Sequence, residues 1–201
     1  KAVWGAANLA KDLKTGIHVH LSETKEEVDG CKARRKGLTP TQYFDRLGVF
    51  DVPTVAAHGI WLEDGDLEIL SQKNVSVVTC PKSNLKLASG LFDYAKLKRA
   101  GINIAIGTDS VASNNNLNML EEMKMFSLLQ KYRSGDPTQV KPGEVLQLAI
   151  GNGYLAQRRT NCGAIAPGNR ADLIVLDMSN PYWQPTHNIL NNLIYSASGT
   201  Y

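Results

Sequence analysis

Two histidines and two carboxylates in this sequence stand where a metal-assisted hydrolysis would need them. His20 closes the run GIHVHL and is followed three residues later by Glu23. His58 closes TVAAH, and Asp109 follows INIAIGT. Each sits at or just past the C-terminal end of a short apolar run that reads as a strand. In a parallel α/β sheet the carboxyl ends of the strands lie along one edge, so all four side chains are expected on one face. Two imidazoles and a carboxylate suit Zn2+ or a similar divalent ion. A nearby glutamate that need not bind the metal is placed to shuttle protons. Each piece alone is weak. A lone strand-end histidine is more often structural, an acid after Gly107-Thr108 is often a helix cap, and Glu23 alone reads as a first-turn acid favoured by the helix dipole. Their joint placement at strand ends is what makes a site.

The elements that must position these groups follow from periodicity. Apolar residues recurring every three or four positions predict a helix over 2–14, and GIHVHL predicts a strand over 16–21. The charged segment 25–36 reads as a helix stopped by Gly37, and Thr39-Pro40 opens another through about Leu47, with Pro40 in the first turn where its missing N–H costs nothing. Strands over 54–58, 75–80 and 102–107 alternate with helices over 63–73, 92–100 and about 117–132. The stretches PKSNLKLASG and TDSVASNNN read as loops. Short, nearly all-apolar strands alternating with helices indicate a parallel sheet covered on both faces. Further helices are expected over 142–150 and 154–159. A turn-rich stretch from Gly163 to Gly168 then leads into ADLIVLD, 171–177, which reads as a strand. The organisation expected is two parts, 1–160 and 161–201.

The remaining histidines carry less. His18 lies two residues before His20 and so shares its side of the strand, which makes HVH look like a metal-binding pair of a first barrel strand. Only two strands fit between His20 and Asp109, whereas a first and a last barrel strand need six between them. His18 is therefore read as a barrel-lining residue, with ligation or substrate contact as the other reading, and His187 as structural or superficial.

Composition narrows the class of partner. The 201 residues carry 22 Lys and Arg against 19 Asp and Glu, a formal charge of +3. Spread along the chain, this gives no basis for a nucleic-acid partner; the basic stretch from Lys32 to Lys36 reads as a solvated helix end. Three cysteines without a CxxC pair argue against a disulfide framework or a thiolate zinc site and fit a reducing, cytoplasmic setting. No apolar run approaches the ~20 residues of a membrane span. A whole (β/α)8 barrel takes roughly 250 residues, more than this chain offers, and the chain begins with Lys.

The segments HVHLSET (18–24), AAHG (56–59), CPKSNLKLASG (80–90) and GTDSVASNNNLNMLEEM (107–123) together resemble the amidohydrolase superfamily, and within it most closely the 5-methylthioadenosine/S-adenosylhomocysteine deaminases. The run from Gly163 through ADLIVLD resembles that superfamily's return into a β-sandwich domain. The resemblance implies an α/β fold, a partial TIM (β/α)8-type barrel holding strands five to eight, followed by the start of a small β-sandwich. It implies hydrolytic deamination of an adenosine-type purine nucleoside with loss of ammonia, using Zn2+ or another divalent metal such as Fe2+. His20 would be a metal ligand and Glu23 the proton shuttle. His58 would contact the substrate or the attacking water, and Asp109 would bind metal and accept a proton. Ser83 and Asn84 would help shape the substrate pocket. The metal ligands, strands and substrate-gripping residues that the superfamily carries further upstream are absent from these 201 residues. The chain then reads as a C-terminal fragment, inactive alone, its barrel completed by a missing N-terminal half or by a homo-oligomer. A related guanine deaminase or triazine-type chlorohydrolase, or a non-catalytic half-barrel, are the alternatives.

Overall fold

Four short strands alternate with helices along the first half of the chain, as the apolar runs predict. A computed structural model describes residues 2–199. The order is α1 (Ala2–Asp12), β1 (Ile17–Leu21), α2 (Lys25–Arg34), α3 (Pro40–Arg46), β2 (Thr54–His58), α4 (Asp64–Gln72), β3 (Ser76–Thr79), α5 (Pro81–Lys86), α6 (Tyr94–Arg99) and β4 (Ile104–Ile106). It continues with α7 (Val111–Asn114), α8 (Met119–Ser134), α9 (Pro142–Ala149), α10 (Gly151–Ala156) and α11 (Ile189–Tyr195). The strands lie in sequence order, β1-β2-β3-β4, in one sheet. β1 pairs β2 and β2 pairs β3 in parallel, with His20 opposite Ala57 and Leu21 opposite His58.

The chain divides into two compact units. Among the described residues, the first is 2–79 with Asn84–Ile104; the second is Cys80–Ser83 with 105–199. In the first, the sheet buries Leu21, Ala56 and Val77, and the helices add Val28, Leu67, Leu70 and Leu97. Helix starts follow their capping residues. The Thr24 hydroxyl accepts the Glu27 N–H at 3.1 Å, and Thr39 and Gln42 form a reciprocal capping box with Pro40 at the first helical position. In the second unit, Asn118 caps α8 and Gly135, left-handed, closes it. Phe126, Val145 and Ile194, from α8, α9 and α11, are its buried apolar anchors.

Three differences from the sequence reading have physical causes. The stretch PKSNLKLASG, 81–90, contains the helix α5, and TDSVASNNN contains the single turn α7; both are too short to show a period. The segment 171–177 forms no strand. A strand exists only through paired backbone groups, and among the described residues no strand pairs with it. Ile174 and Val175 stand 83% and 96% exposed. The sequence reading omits α11, although Ile189, Leu190, Leu193 and Ile194 recur at helical spacing behind a polar, proline-containing approach. No helix among the described residues is long and apolar enough to cross a membrane.

Gly59 shows how tightly the end of β2 is specified. Its φ is +57°, and a Cβ there would lie 2.8 Å from Val77 Cγ1, inside the buried sheet. Gly59→Ala is therefore expected to cost about 1–3 kcal/mol, since left-handed backbone and close packing both resist the added methyl. Urea unfolding checks this: an unchanged midpoint would contradict it.

Candidate active site

In the first unit, β1 presents His18 and His20 on one side while Ile17, Val19 and Leu21 point to the other. His20 is paired with Ala57, so strict alternation would send the next residue, His58, to the opposite face. Instead His58 adopts φ +73°, a left-handed conformation uncommon outside glycine. That turn breaks the alternation, and the His58 ring lies stacked on His20, with centroids 5.4 Å apart and planes within 13°. His58 is 1% exposed. Ser22, at the end of β1, is also left-handed at φ +51°. Backbone strain of this kind gathers where side chains must be aimed.

The protonation pattern of His58 follows from its partner. Asn84 Oδ1 lies 2.8 Å from His58 Nδ1, and an amide oxygen only accepts, so Nδ1–H is the donor. Nε2 is left to face Glu23, whose Oε2 lies 3.6 Å away. The other oxygen of Glu23, Oε1, accepts the Ser89 hydroxyl at 3.1 Å. The Glu23 N–H donates to Glu27 Oε2 at 2.7 Å, and Ser22 N–H to Glu27 Oε1 at 3.1 Å. Carboxylate and imidazole thus meet edge to edge, each fixed from behind by a buried polar residue. His18 is exposed on β1, yet lost hydration, and then the charges of His20 and His58, lower its pKa from the usual imidazole value.

In the second unit, Asp109 follows β4 with φ +60°. Its Oδ2 accepts the Ser83 hydroxyl at 2.6 Å and its Oδ1 the Ser110 N–H at 2.7 Å. Behind it lies a group that the sequence pattern does not single out. Glu122 on α8 is fully buried and accepts the Lys82 N–H at 3.0 Å and Asn114 Nδ2 at 2.6 Å. Burial pushes its carboxyl pKa up, against the pull of those two hydrogen bonds. Lys82 Nζ binds the neighbouring Glu121 and holds that carboxyl below the usual range.

The structure therefore brings together His20, Glu23, His58 and Asn84 in one unit, and Ser83 with Asp109 in the other. Asn84 is 2% exposed, its side chain directed to His58. Ser89, Trp61, Asn114 and Glu122 were not singled out by sequence reasoning. Ser89 lay in PKSNLKLASG, read only as a loop. Imidazole and carboxylate donors of this kind suit zinc. A catalytic zinc usually takes three protein ligands, and no group of three or more His, Cys, Asp or Glu able to hold a metal ion occurs among the described residues. The donor types fit a metal; the number assembled by these residues does not complete a site.

An α/β sheet with histidines and acids at the C-terminal ends of its strands is the pattern of metal-dependent hydrolases. The sequence pattern of the Amidohydrolase family matches residues 3–199, and the chain belongs to that family. A 5-methylthioadenosine/S-adenosylhomocysteine deaminase of Pelotomaculum thermopropionicum is 44% identical over 190 residues, covering 94% of this chain and 44% of that protein. A 5'-deoxyadenosine deaminase of Methanothermobacter thermautotrophicus is 44% identical over 193 residues, covering 96% and 45%. The crystal structure of an adenosine deaminase from Xanthomonas campestris with bound zinc superimposes with a TM-score of 0.92 at 36% identity, covering 98% of this chain and 45% of that one. The chain spans about half the length of the curated relatives it matches.

Proposed function

We propose that the protein containing this chain hydrolytically deaminates an adenosine-type purine nucleoside, such as 5-methylthioadenosine or S-adenosylhomocysteine, releasing ammonia. The observation that carries this reading is the Glu23–His58 pair, with Oε2 3.6 Å from Nε2 and each group's other polar atom already occupied. One acid with a free oxygen beside one imidazole with a free nitrogen is what proton traffic around a reacting ring requires. The similarity to relatives named for this activity supports the substrate class.

In the reaction, water adds to the ring carbon bearing the amine, the adjacent ring nitrogen gains a proton, and the amine leaves as ammonia. Both protons moved come from the attacking water. Glu23 carries the first to the ring nitrogen through Oε2. His58 orients the water through Nε2, its tautomer held by Asn84. Asp109, its carboxylate steadied by Ser83, takes the second proton of that oxygen as the carbonyl forms, and Glu23 passes it on to the departing amine. A divalent ion, zinc as in the Xanthomonas structure, would supply an activated water and charge stabilisation. His20 and Asp109 would be this chain's ligands for it, with the other ligands supplied by the rest of the full-length protein.

On the same reading the four strands are the second half of a (β/α)8 barrel in a part spanning 1–160, and 161–201 begins a sandwich whose partner strands lie elsewhere. The chain on its own would bind metal weakly and turn over little or no substrate, and its open sheet edge would pair with the missing half or with another copy. The protein would work in the cytoplasm. Assaying the full-length protein for ammonia release from 5-methylthioadenosine, S-adenosylhomocysteine and 5'-deoxyadenosine, with metal counted per chain, tests the proposal. Turnover of guanine or of a chlorotriazine in their place would assign the chemistry to a different leaving group or ring. Stoichiometric zinc and turnover by residues 1–201 alone would overturn the incomplete-site reading.

A further inference from the structure

We infer that Ser89 is a positioning residue for Glu23, seated by Trp61, and that this pair decides which carboxylate oxygen is free to carry the proton. The inference rests on the proposed role of Glu23 as proton shuttle.

All polar groups of Ser89 are used, and each use bears on Glu23. Its hydroxyl donates to Glu23 Oε1 at 3.1 Å across 66 residues of sequence, and its side chain is nearly fully buried. Its N–H donates to the Asn84 carbonyl at 2.9 Å. Its carbonyl accepts the Trp61 indole N–H at 2.7 Å. Trp61 in turn reaches the backbone next to Glu23: the Ile60 and Trp61 N–H groups both donate to the Ser22 carbonyl, at 3.1 and 2.9 Å. A closed circuit results, running from Ser22 through Trp61 and Ser89 to the Glu23 carboxylate. Gly90 lets the turn lie this close. Its φ is +133°, and a Cβ there would come within 2.9 Å of Ile60 Cγ2 and 3.2 Å of Trp61 Nε1.

The geometry has a chemical consequence. A glutamate side chain has three rotatable bonds, and an unheld carboxylate would divide its time among several rotamers and present either oxygen. With Oε1 bound to a buried hydroxyl, Oε2 is the oxygen beside His58 Nε2. The same loop sets both members of the pair, since Asn84 holds His58 and Ser89 holds Glu23. A burial role alone would not need the hydroxyl to meet a carboxylate.

The test uses the full-length protein and the variants S89A, S89C, W61F, E23Q and the double variant S89A/E23Q. The expected result is a kcat reduced about 10-fold in S89A, the scale of one hydrogen bond to a charged group, with KM and bound metal per chain unchanged. S89C, which keeps the volume with a weaker donor, and W61F, which keeps the ring without its N–H, are expected to lose less in the same direction. Affinity for a purine nucleoside analogue with a tetrahedral, hydroxylated carbon at the reacting position should fall with kcat across the series. In S89A/E23Q the Ser89 change should add nothing to the loss caused by E23Q. If E23Q is inactive while S89A and W61F retain wild-type kcat, positioning by Ser89 is wrong and the shuttle stands. If the losses from S89A and E23Q multiply, Ser89 does not act through Glu23 and the inference is overturned. If E23Q itself retains activity, the shuttle reading fails, and the inference with it.

Discussion

Glu23→Gln in the full-length protein is expected to lower kcat for deamination by about 10²- to 10⁴-fold, the share a positioned general acid–base group contributes. Gln is close to isosteric, and its amide oxygen can still accept the Ser89 hydroxyl that Glu23 Oε1 accepts now. What is lost is the second oxygen, Oε2, the atom beside His58 Nε2. An amide NH2 in its place cannot take up and return a proton, so the chemical step suffers while the architecture stays. KM and the melting temperature should move little, because Glu23 is partly exposed and its backbone is held independently by Glu27 and by the bonds to the Ser22 carbonyl. A truncating Glu23→Ala would remove both effects at once and is the less informative variant. The measurement is steady-state ammonia release at saturating substrate beside a thermal melt. A Gln variant within 10-fold of wild type would remove Glu23 from the proton path.

Legibility in the sequence divides along a physical line. β1 through β4 were readable because each is a short, mainly apolar run, α1 because its apolar positions recur, and α2 and α3 through the Gly37 stop and the Thr39-Pro40 start. His20, His58 and Asp109 were readable as strand-end residues for the same reason. Three things were hidden. Short helices such as α5 and α7 show no period. Conformation at a single residue is invisible: nothing in TVAAHG announces that His58 turns left-handed and stacks on His20 rather than continuing the alternation. Contacts made across long separations are also invisible. Ser89 meets Glu23 and Asn84 meets His58 through loops whose own sequences look like linkers. The segment 171–177 failed in the opposite way. Its residues have the composition of a strand, but pairing depends on a neighbour, and the described residues supply none.

Glu122 extends that lesson, because it reads as one more acid on a polar helix yet is fully buried. Its carboxylate joins two stretches of the second unit: Oε2 takes the Lys82 N–H beside Ser83, and Oε1 takes Asn114 Nδ2, which also donates to the Thr108 carbonyl at 2.5 Å. Those stretches carry the Ser83 hydroxyl and the Asp109 carboxylate to which it donates. Glu122→Ala removes both acceptors and leaves a hole, and is expected to cost about 3 kcal/mol of stability, read as a lower urea midpoint. Glu122→Gln keeps one acceptor but turns an N–H toward the other donor, so its cost should be smaller and its pH dependence diagnostic. Burial raises the pKa of Glu122 in the folded chain, so the folded state keeps this proton over a range where the unfolded chain, near about 4.3, has released it. Stability from this group is therefore complete below the unfolded value and is lost as pH rises through the folded one. Gln has no such proton. The stability difference between wild type and Glu122→Gln should be largest in acid, shrink as pH rises across that window, and then stay level. A difference constant with pH would mean that Glu122 titrates as it does in the unfolded chain, and that the two hydrogen bonds fully offset its burial.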